Sequence, residues 1–207
     1  MNESAFKTCA LRKRVAPLWL MLSLSCLWSK ASTAGTEMID FTQANEHQNW
    51  TATNDNVMGG ISTGGLIYDG GISQFKGKLS LENNGGFSSI NRSVESLRSE
   101  VNGVELTFVG DGRTYQLRFT TWKDGYRTKY KHNFETIKGE QLKKTFQLKD
   151  FQAVSRGRLL SEAPELKAQD IKQIGLLIAD RQPSLFELDL IQLQFKTSQP
   201  ITSPETD

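Results

Sequence analysis

The chain has 207 residues, a formal net charge of +2, and two cysteines, Cys9 and Cys26. Both cysteines lie within the first 34 residues, so the remainder excludes disulfides, thiol catalysis and cysteine-held metals. The leading segment carries Lys7, Arg12, Lys13, Arg14 and Lys30 against Glu3, a net of +4, so residues 35–207 come to −2. That balance gives no global positive field and argues against a nucleic-acid partner.

Residues 1–34 read as a secretory signal peptide. The cations at positions 7–14 precede an apolar run over 15–28, broken only by Ser23 and Ser25. Ser32-Thr33-Ala34 then supplies small residues at −3 and −1 of a cleavage site. The apolar run is too short for an ordinary membrane span. The expectation is export to the periplasm or beyond, with membrane attachment only through an uncleaved leader.

From residue 37 to 196 the dominant signal is a period of two, the mark of half-buried strands. Val104, Leu106 and Phe108 alternate with Glu105 and Thr107; Tyr115, Leu117 and Phe119 alternate with Gln116 and Arg118. Ile174, Leu176 and Ile178 form a more fully apolar strand. Phe186 and Leu188 begin another, whose parity then shifts to Ile191, Leu193 and Phe195 and predicts a bulge near Leu190. Gly59-Gly60, Gly64-Gly65, Gly70-Gly71, Asn83-Asn84-Gly85-Gly86, Asp111-Gly112 and Asp124-Gly125 read as turns. A short helix is expected only around 164–173. The polar residues 197–207 read as a disordered tail. Many short strands with glycine-rich turns imply an all-β sandwich or barrel.

Gly60-Ile61-Ser62-Thr63-Gly64 matches the G-x-S-x-G pattern of hydrolases, but strand-like residues follow where a helix is needed. The reading preferred is a turn. His47 and His132 are the chain's histidines, which makes a transition-metal site improbable. Calcium needs only oxygen ligands, and Asp40 and Asp189 are its weak candidates. Asn49 and Asn91 head glycosylation acceptor triplets. In 122–134, Tyr126, Tyr130, His132 and Phe134 share one strand face, and Arg127, Lys129 and Lys131 the other. Trp122, Tyr126 and Tyr130 are candidates for a stacking platform, against the plainer reading that these aromatics are core.

The polar clusters occur in a fixed order. Asn54-Asp55-Asn56-Val57-Met58-Gly59-Gly60-Ile61-Ser62 comes first, then Phe75-Lys76-Gly77 and Asn83-Asn84-Gly85-Gly86-Phe87-Ser88-Ser89. Gly110-Asp111-Gly112-Arg113-Thr114-Tyr115, Asp150-Phe151, Arg156-Gly157-Arg158, Ile174-Gly175-Leu176-Leu177-Ile178-Ala179-Asp180 and Phe186-Glu187-Leu188-Asp189-Leu190-Ile191 follow. The set, over residues 39–195, resembles the complex I intermediate-associated protein 30 family. The resemblance implies a galactose-binding-like jelly-roll β-sandwich and a non-catalytic, assembly-factor role with a protein partner. The expectation is one jelly-roll domain, monomeric or weakly associated and without a cofactor, that holds a protein partner in the cell envelope. An exported carbohydrate-binding module is the alternative, and an unrecognised hydrolase stands third. Asn54, Asp55, Asn84, Asp111, Arg113 and Asp180 are the candidate ligand or loop-organising residues. Arg113 is expected to pair with one or more of the three aspartates, and Asn54 and Asn84 to hold turns through their own backbone.

Overall fold

A computed structural model describes residues 38–123 and 125–197. Residues 1–37 (which include the segment read as a signal peptide), Asp124 and the tail beyond Thr197 lie outside the described residues. Thirteen strands follow in chain order: β1 (Met38–Asp40), β2 (Trp50–Asn54), β3 (Thr63–Asp69), β4 (Ile72–Lys78), β5 (Ser88–Ser93), β6 (Val101–Val109), β7 (Thr114–Lys123), β8 (Tyr126–Glu135), β9 (Gln141–Gln147), β10 (Gln152–Ser155), β11 (Arg158–Leu159), β12 (Ile171–Ile178) and β13 (Leu185–Thr197). They pair antiparallel in two sheets. The six-stranded sheet runs β3-β4-β13-β6-β9, with β1 added beside β13; the seven-stranded sheet runs β11-β10-β8-β7-β12-β5-β2. This is the all-β sandwich that the alternation predicts. Among the described residues no helix is long and apolar enough to cross a membrane.

The inward residues of each strand are those that the period of two selects. Val104, Leu106 and Phe108 of β6 face Tyr115, Leu117 and Phe119 of β7 across the core, all fully buried. Aromatic rings tie the layers together: Phe75 meets Tyr115 at 6.3 Å and Phe186 at 5.0 Å, and Phe119 meets Phe151 at 4.9 Å between centroids. Such offset and edge contacts add to the area they bury.

Three sequence expectations need correction. The pairing of β13 with β6 slips between Leu190 and Gln192, so the bulge exists, but Ile191 is its extra residue and is not in the core; Leu190, Leu193 and Phe195 are. The Ile191 carbonyl instead accepts the Phe41 amide at 3.0 Å. Gly64-Gly65 is no turn; it lies inside β3, opposite Gly77 and Lys76. A Cβ on Gly64 would stand 2.2 Å from Ser88 Oγ, so glycine there serves close approach of strands. Residues 164–173 hold only a 3-10 turn at Ala168–Asp170 before β12 begins at Ile171. By contrast Gly70 and Gly71, at φ 60° and 91°, make the expected two-residue hairpin between β3 and β4.

Phe119 joins both layers through Phe151 and Phe195. Phe119→Ala should cost about 3–5 kcal/mol, read as a lowered urea midpoint with an unchanged slope.

Candidate functional site

Asp55 begins a 3-10 turn, Asp55–Met58, and is fully buried. Its carboxylate accepts the Ser62 amide at 2.8 Å, the Ser62 hydroxyl at 2.5 Å, and the Gly86 and Phe87 amides at 2.6 and 3.3 Å. Gly60 and Gly85 close over it: a Cβ on either would come within 2.4 or 2.6 Å of its carboxyl atoms. Burial alone would raise this carboxyl, but the bonds from Ser62, Gly86 and Phe87 outweigh it and hold the pKa below the usual carboxylate value. Ser62 is therefore a buried structural donor leading into β3, not a serine on a strand-to-helix elbow. Asn54 does not hold its own turn. Its amide donates to the Gly64 carbonyl at 3.1 Å and its oxygen accepts Ser88 Oγ at 2.6 Å, linking β2 to β3 and β5. Asn84 contributes a left-handed backbone, φ 58°, while Asn83 reaches the Gly59 carbonyl at 3.1 Å.

Arg113 chooses Asp180 among the three aspartates. Its fork is bidentate, Nε to Oδ2 at 2.8 Å and Nη2 to Oδ1 at 2.6 Å, and its remaining donors reach the carbonyls of Gln182, Ser184 and Leu185. Both side chains are buried. Burial opposes the Arg113 charge, but the Asp180 bond and charge prevail and raise its pKa. Asp111 sits alongside, accepting the Arg113 amide, the Tyr115 hydroxyl and the Glu187 amide at 3.0, 3.0 and 2.8 Å. Burial, then Asp111, pushes the Tyr115 hydroxyl upward. The two clusters meet at one end of the sandwich. Ser62 Oγ accepts the Ser80 amide, and the adjacent Leu79 amide donates to Ser184, whose carbonyl also accepts Arg113.

The aromatic candidates lie elsewhere. Trp122 is nine residues along β7 from Arg113, about 30 Å at strand rise. Trp122 (57% exposed) stands opposite Arg127 on the outer face of the seven-stranded sheet. Tyr126 (78% exposed) stands opposite Lys123, on the other face. The three rings thus form no common platform, because neighbouring strand positions alternate faces. Tyr130 is core, its hydroxyl donating to the Pro164 carbonyl at 2.8 Å. Tyr126 and Tyr130 line a cavity of ≈ 600 Å³ with Glu162, Glu165 and Asp170, the last paired with Lys123 at 3.6 Å.

The outer face of the seven-stranded sheet carries what sequence reasoning did not assemble. Strand register places Thr51, Asn91, Gly175, Arg118, Lys131 and Gln152 in one row across β2, β5, β12, β7, β8 and β10. Adjacent rows hold Gln116 opposite Asn133, Thr120 opposite Lys129, and Trp122 opposite Arg127. The middle of this face is half-buried or buried and its margins are mostly exposed, and a trough opens over Thr51, Asn91 and Gln173 at its β2–β5 end. Leu177 and Val154 are buried on it yet lie outside the core cluster. Gln116 Oε1 and Arg118 Nε are buried there without a hydrogen-bond partner. Burial lowers the Arg118 pKa; burial, then Arg127 and Arg118, lowers that of Lys129. The outer face of the six-stranded sheet differs: Glu105 pairs with Lys143 and Lys196, and Asp189 accepts Gln74. Asp40 is taken up by Thr42 and Gln43, so Asp40 and Asp189 make no shared calcium site, and no cluster suited to a metal occurs among the described residues. His47 Nδ1 bonds the Ala44 carbonyl and His132 Nδ1 the Asn133 carbonyl.

Two facing antiparallel sheets with these connections make a jelly-roll β-sandwich of the galactose-binding-like kind. Comparison with known families matches residues 39–190 to Complex I intermediate-associated protein 30 (CIA30). The chain belongs to that family. No curated protein matches it significantly. Among solved structures it is similar to the family 11 carbohydrate-binding module of the cellulosomal cellulase Lic26A-Cel5E of Clostridium thermocellum, at 11% identity and TM-score 0.60, over 81% of this chain and 99% of the module. The family 11 module from the same organism, in complex with a β-1,3-1,4-mixed-linked tetrasaccharide, gives 13% identity and TM-score 0.57 over 81% and 100%. These likenesses concern the fold.

Two predictions follow from the buried charges. Because the folded Asp55 pKa is depressed, its contribution is present above the unfolded value, about 3.9, and is lost as pH falls through the folded one. Asp55→Asn should lower stability at neutral pH and flatten the acid limb of a stability–pH curve; a parallel curve would contradict this. Arg113→Ala should cost about 3–5 kcal/mol and leave the ligand affinity of the folded fraction unchanged. Arg113→Lys should recover less than half, since an ammonium cannot copy the fork.

Proposed function

We propose that the chain is a non-catalytic, exported binding module that holds a carbohydrate along the trough of the seven-stranded sheet. The observation that carries this is that Gln116 and Arg118, neighbours on the outer face of β7, each hold a buried side-chain atom, Oε1 and Nε, with no hydrogen-bond partner among the described residues. Buried polar atoms without partners are rare and ask for a reason. An acceptor and a donor on one face suit the hydroxyls of a sugar, each of which can donate and accept. Asn91, Gln173, Thr51 and Gln152 extend the same chemistry across the sheet, and Trp122 offers an exposed ring at one end. Polar groups fixed on rigid strands, with an aromatic surface at hand, suit a sugar chain.

The family name favours a second reading, a protein partner. Val57 and Met58, 67% and 68% exposed, project with exposed Ile61 from the loop that Asp55 pins. A rigid apolar tip of this kind is an ordered docking point.

Export is part of the proposal: the signal-peptide pattern of residues 1–34 leads to a mature chain beginning at Gly35. N-terminal sequencing of protein recovered from the cell envelope should return Gly35, whereas an intact Met1 start in the cytoplasm would refute export. A glycan array run beside affinity capture from envelope extracts tests the ligand class. Specific glycan binding that Trp122→Ala weakens about ten-fold, or 1.4 kcal/mol, supports the trough. A blank array with a stoichiometric protein captured by wild type and lost on Met58→Asp replaces it with the loop reading.

A further inference from the structure

The trough is a concentration of positive charge on a domain that is otherwise slightly acidic. Arg127, Lys129 and Lys131 occupy successive outward positions of β8, and Arg118 stands directly opposite Lys131. Like charges placed opposite one another on a sheet are destabilising. Among the described residues no carboxylate pairs with Arg118, Lys129 or Lys131, and Arg127 bonds only the neutral Gln173, at 3.1 Å. The acidic side chains of the neighbourhood stand at its margins. Glu95 lines the hollow over Thr51, Asn91 and Gln173 at the β2–β5 end, Glu135 ends the outward row of β8 beyond Asn133, Glu46 is occupied by Arg92, and Asp170 is paired with Lys123 on the other side of the hairpin. The opposite sheet shows what the same fold does when a face is merely solvated: its cations Lys143 and Lys196 share Glu105.

We infer that the trough selects an acidic polysaccharide, one whose sugar residues carry carboxylate or sulfate groups. This rests on the carbohydrate reading above and adds the charge of the ligand. Arg118 is the centre of the arrangement. Its Nε is buried and unpartnered, and a guanidinium offers further N–H donors in a fork matched to an oxyanion. Lys131 across the strand pair, and Lys129 and Arg127 further along β8, continue the cationic track beside it. Gly175, between Asn91 and Arg118 in the same row, leaves the floor open, and a Cβ there would lie 2.6 Å from Asn91 Oδ1. An acidic peptide meets the charge but not the rest. It gains most by adding to a sheet edge, and this track crosses the middle of a sheet, beside a hydroxyl-matching pair of atoms and an exposed indole.

The test is affinity electrophoresis of the full chain in gels containing sodium alginate or polygalacturonate (carboxylate), ι-carrageenan (sulfate), neutral mixed-linked β-glucan or agarose, or poly-glutamate. The expected result is retardation by at least one acidic polysaccharide, at least ten-fold stronger than by the neutral ones and weakening steeply with added salt. The carboxylate and sulfate gels then identify the anion. The double variant Arg118→Gln, Lys129→Gln should abolish the retardation while keeping the wild-type melting temperature or exceeding it, because it relieves like-charge crowding. Lys129→Glu is a single-site check that leaves the half-buried Arg118 in place, and it should weaken binding more than Lys129→Gln does. Equal, salt-insensitive retardation by neutral glycans would overturn the acidic inference and leave the trough as a sugar site. Equal retardation by poly-glutamate would overturn the sugar specificity. No retardation in any gel would remove both readings.

Discussion

One buried carboxylate sets the geometry on which this domain depends. Among the described residues no cation pairs with Asp55; its charge is spread over the Ser62 amide and hydroxyl and the amides of Gly86 and Phe87. Three segments, the turn after β2, the entry to β3 that soon follows it and the distant entry to β5, are thereby fixed to a single pair of oxygens. Since β3 is an edge of the six-stranded sheet and β5 belongs to the seven-stranded one, the carboxylate also joins the two layers. Ionised acceptors make the stronger hydrogen bonds, and the glycines at 60 and 85 admit nothing larger beside them. Arg113 and Asp180 do the same for the opposite charge a short way off, fastening β7 to the loop between β12 and β13.

The residues that carry the family pattern are thus mostly fasteners, gathered at one end of the sandwich. The trough begins beyond them and is made from residues that no local motif marks. Its floor is rigid because its strands are held from that end and from the core beneath. Arg118 follows Leu117 and precedes Phe119, both fully buried, so its backbone cannot move without disturbing the packed layer. A polar surface mounted in this way is suited to recognition without reorganisation, which is where binding otherwise loses affinity.

The strands were legible from alternation, since one face of each packs against the other sheet and the other faces water. Bulge parity at Leu190 was legible too, but not which residue is extra, because that depends on the bond between Phe41 and Ile191. Gly64-Gly65 looked like a turn because glycine pairs usually are; only the crowding by Ser88 and Phe186 explains them within a strand. Arg113 was visible as a candidate to pair with an aspartate, yet its burial and its choice of Asp180 are set by the loop after β12, which has no signature of its own. The trough was invisible for a different reason. Gln116, Arg118, Lys129 and Lys131 read as ordinary outward residues on single strands, and their convergence requires the register of β7 against β8 and β12.

β13 is the longest strand and the centre of its sheet, pairing with β1, β4 and β6. Its partners are all made before it. During synthesis on a ribosome the six-stranded layer therefore has an empty middle until β13 has emerged, and β1 must wait for a partner far along the chain, Met38 for Gln194. Contacts so distant in sequence slow folding. The polypeptide consequently keeps unpaired strand edges until its last strand arrives, a state open to wrong pairings that the finished sheet no longer allows.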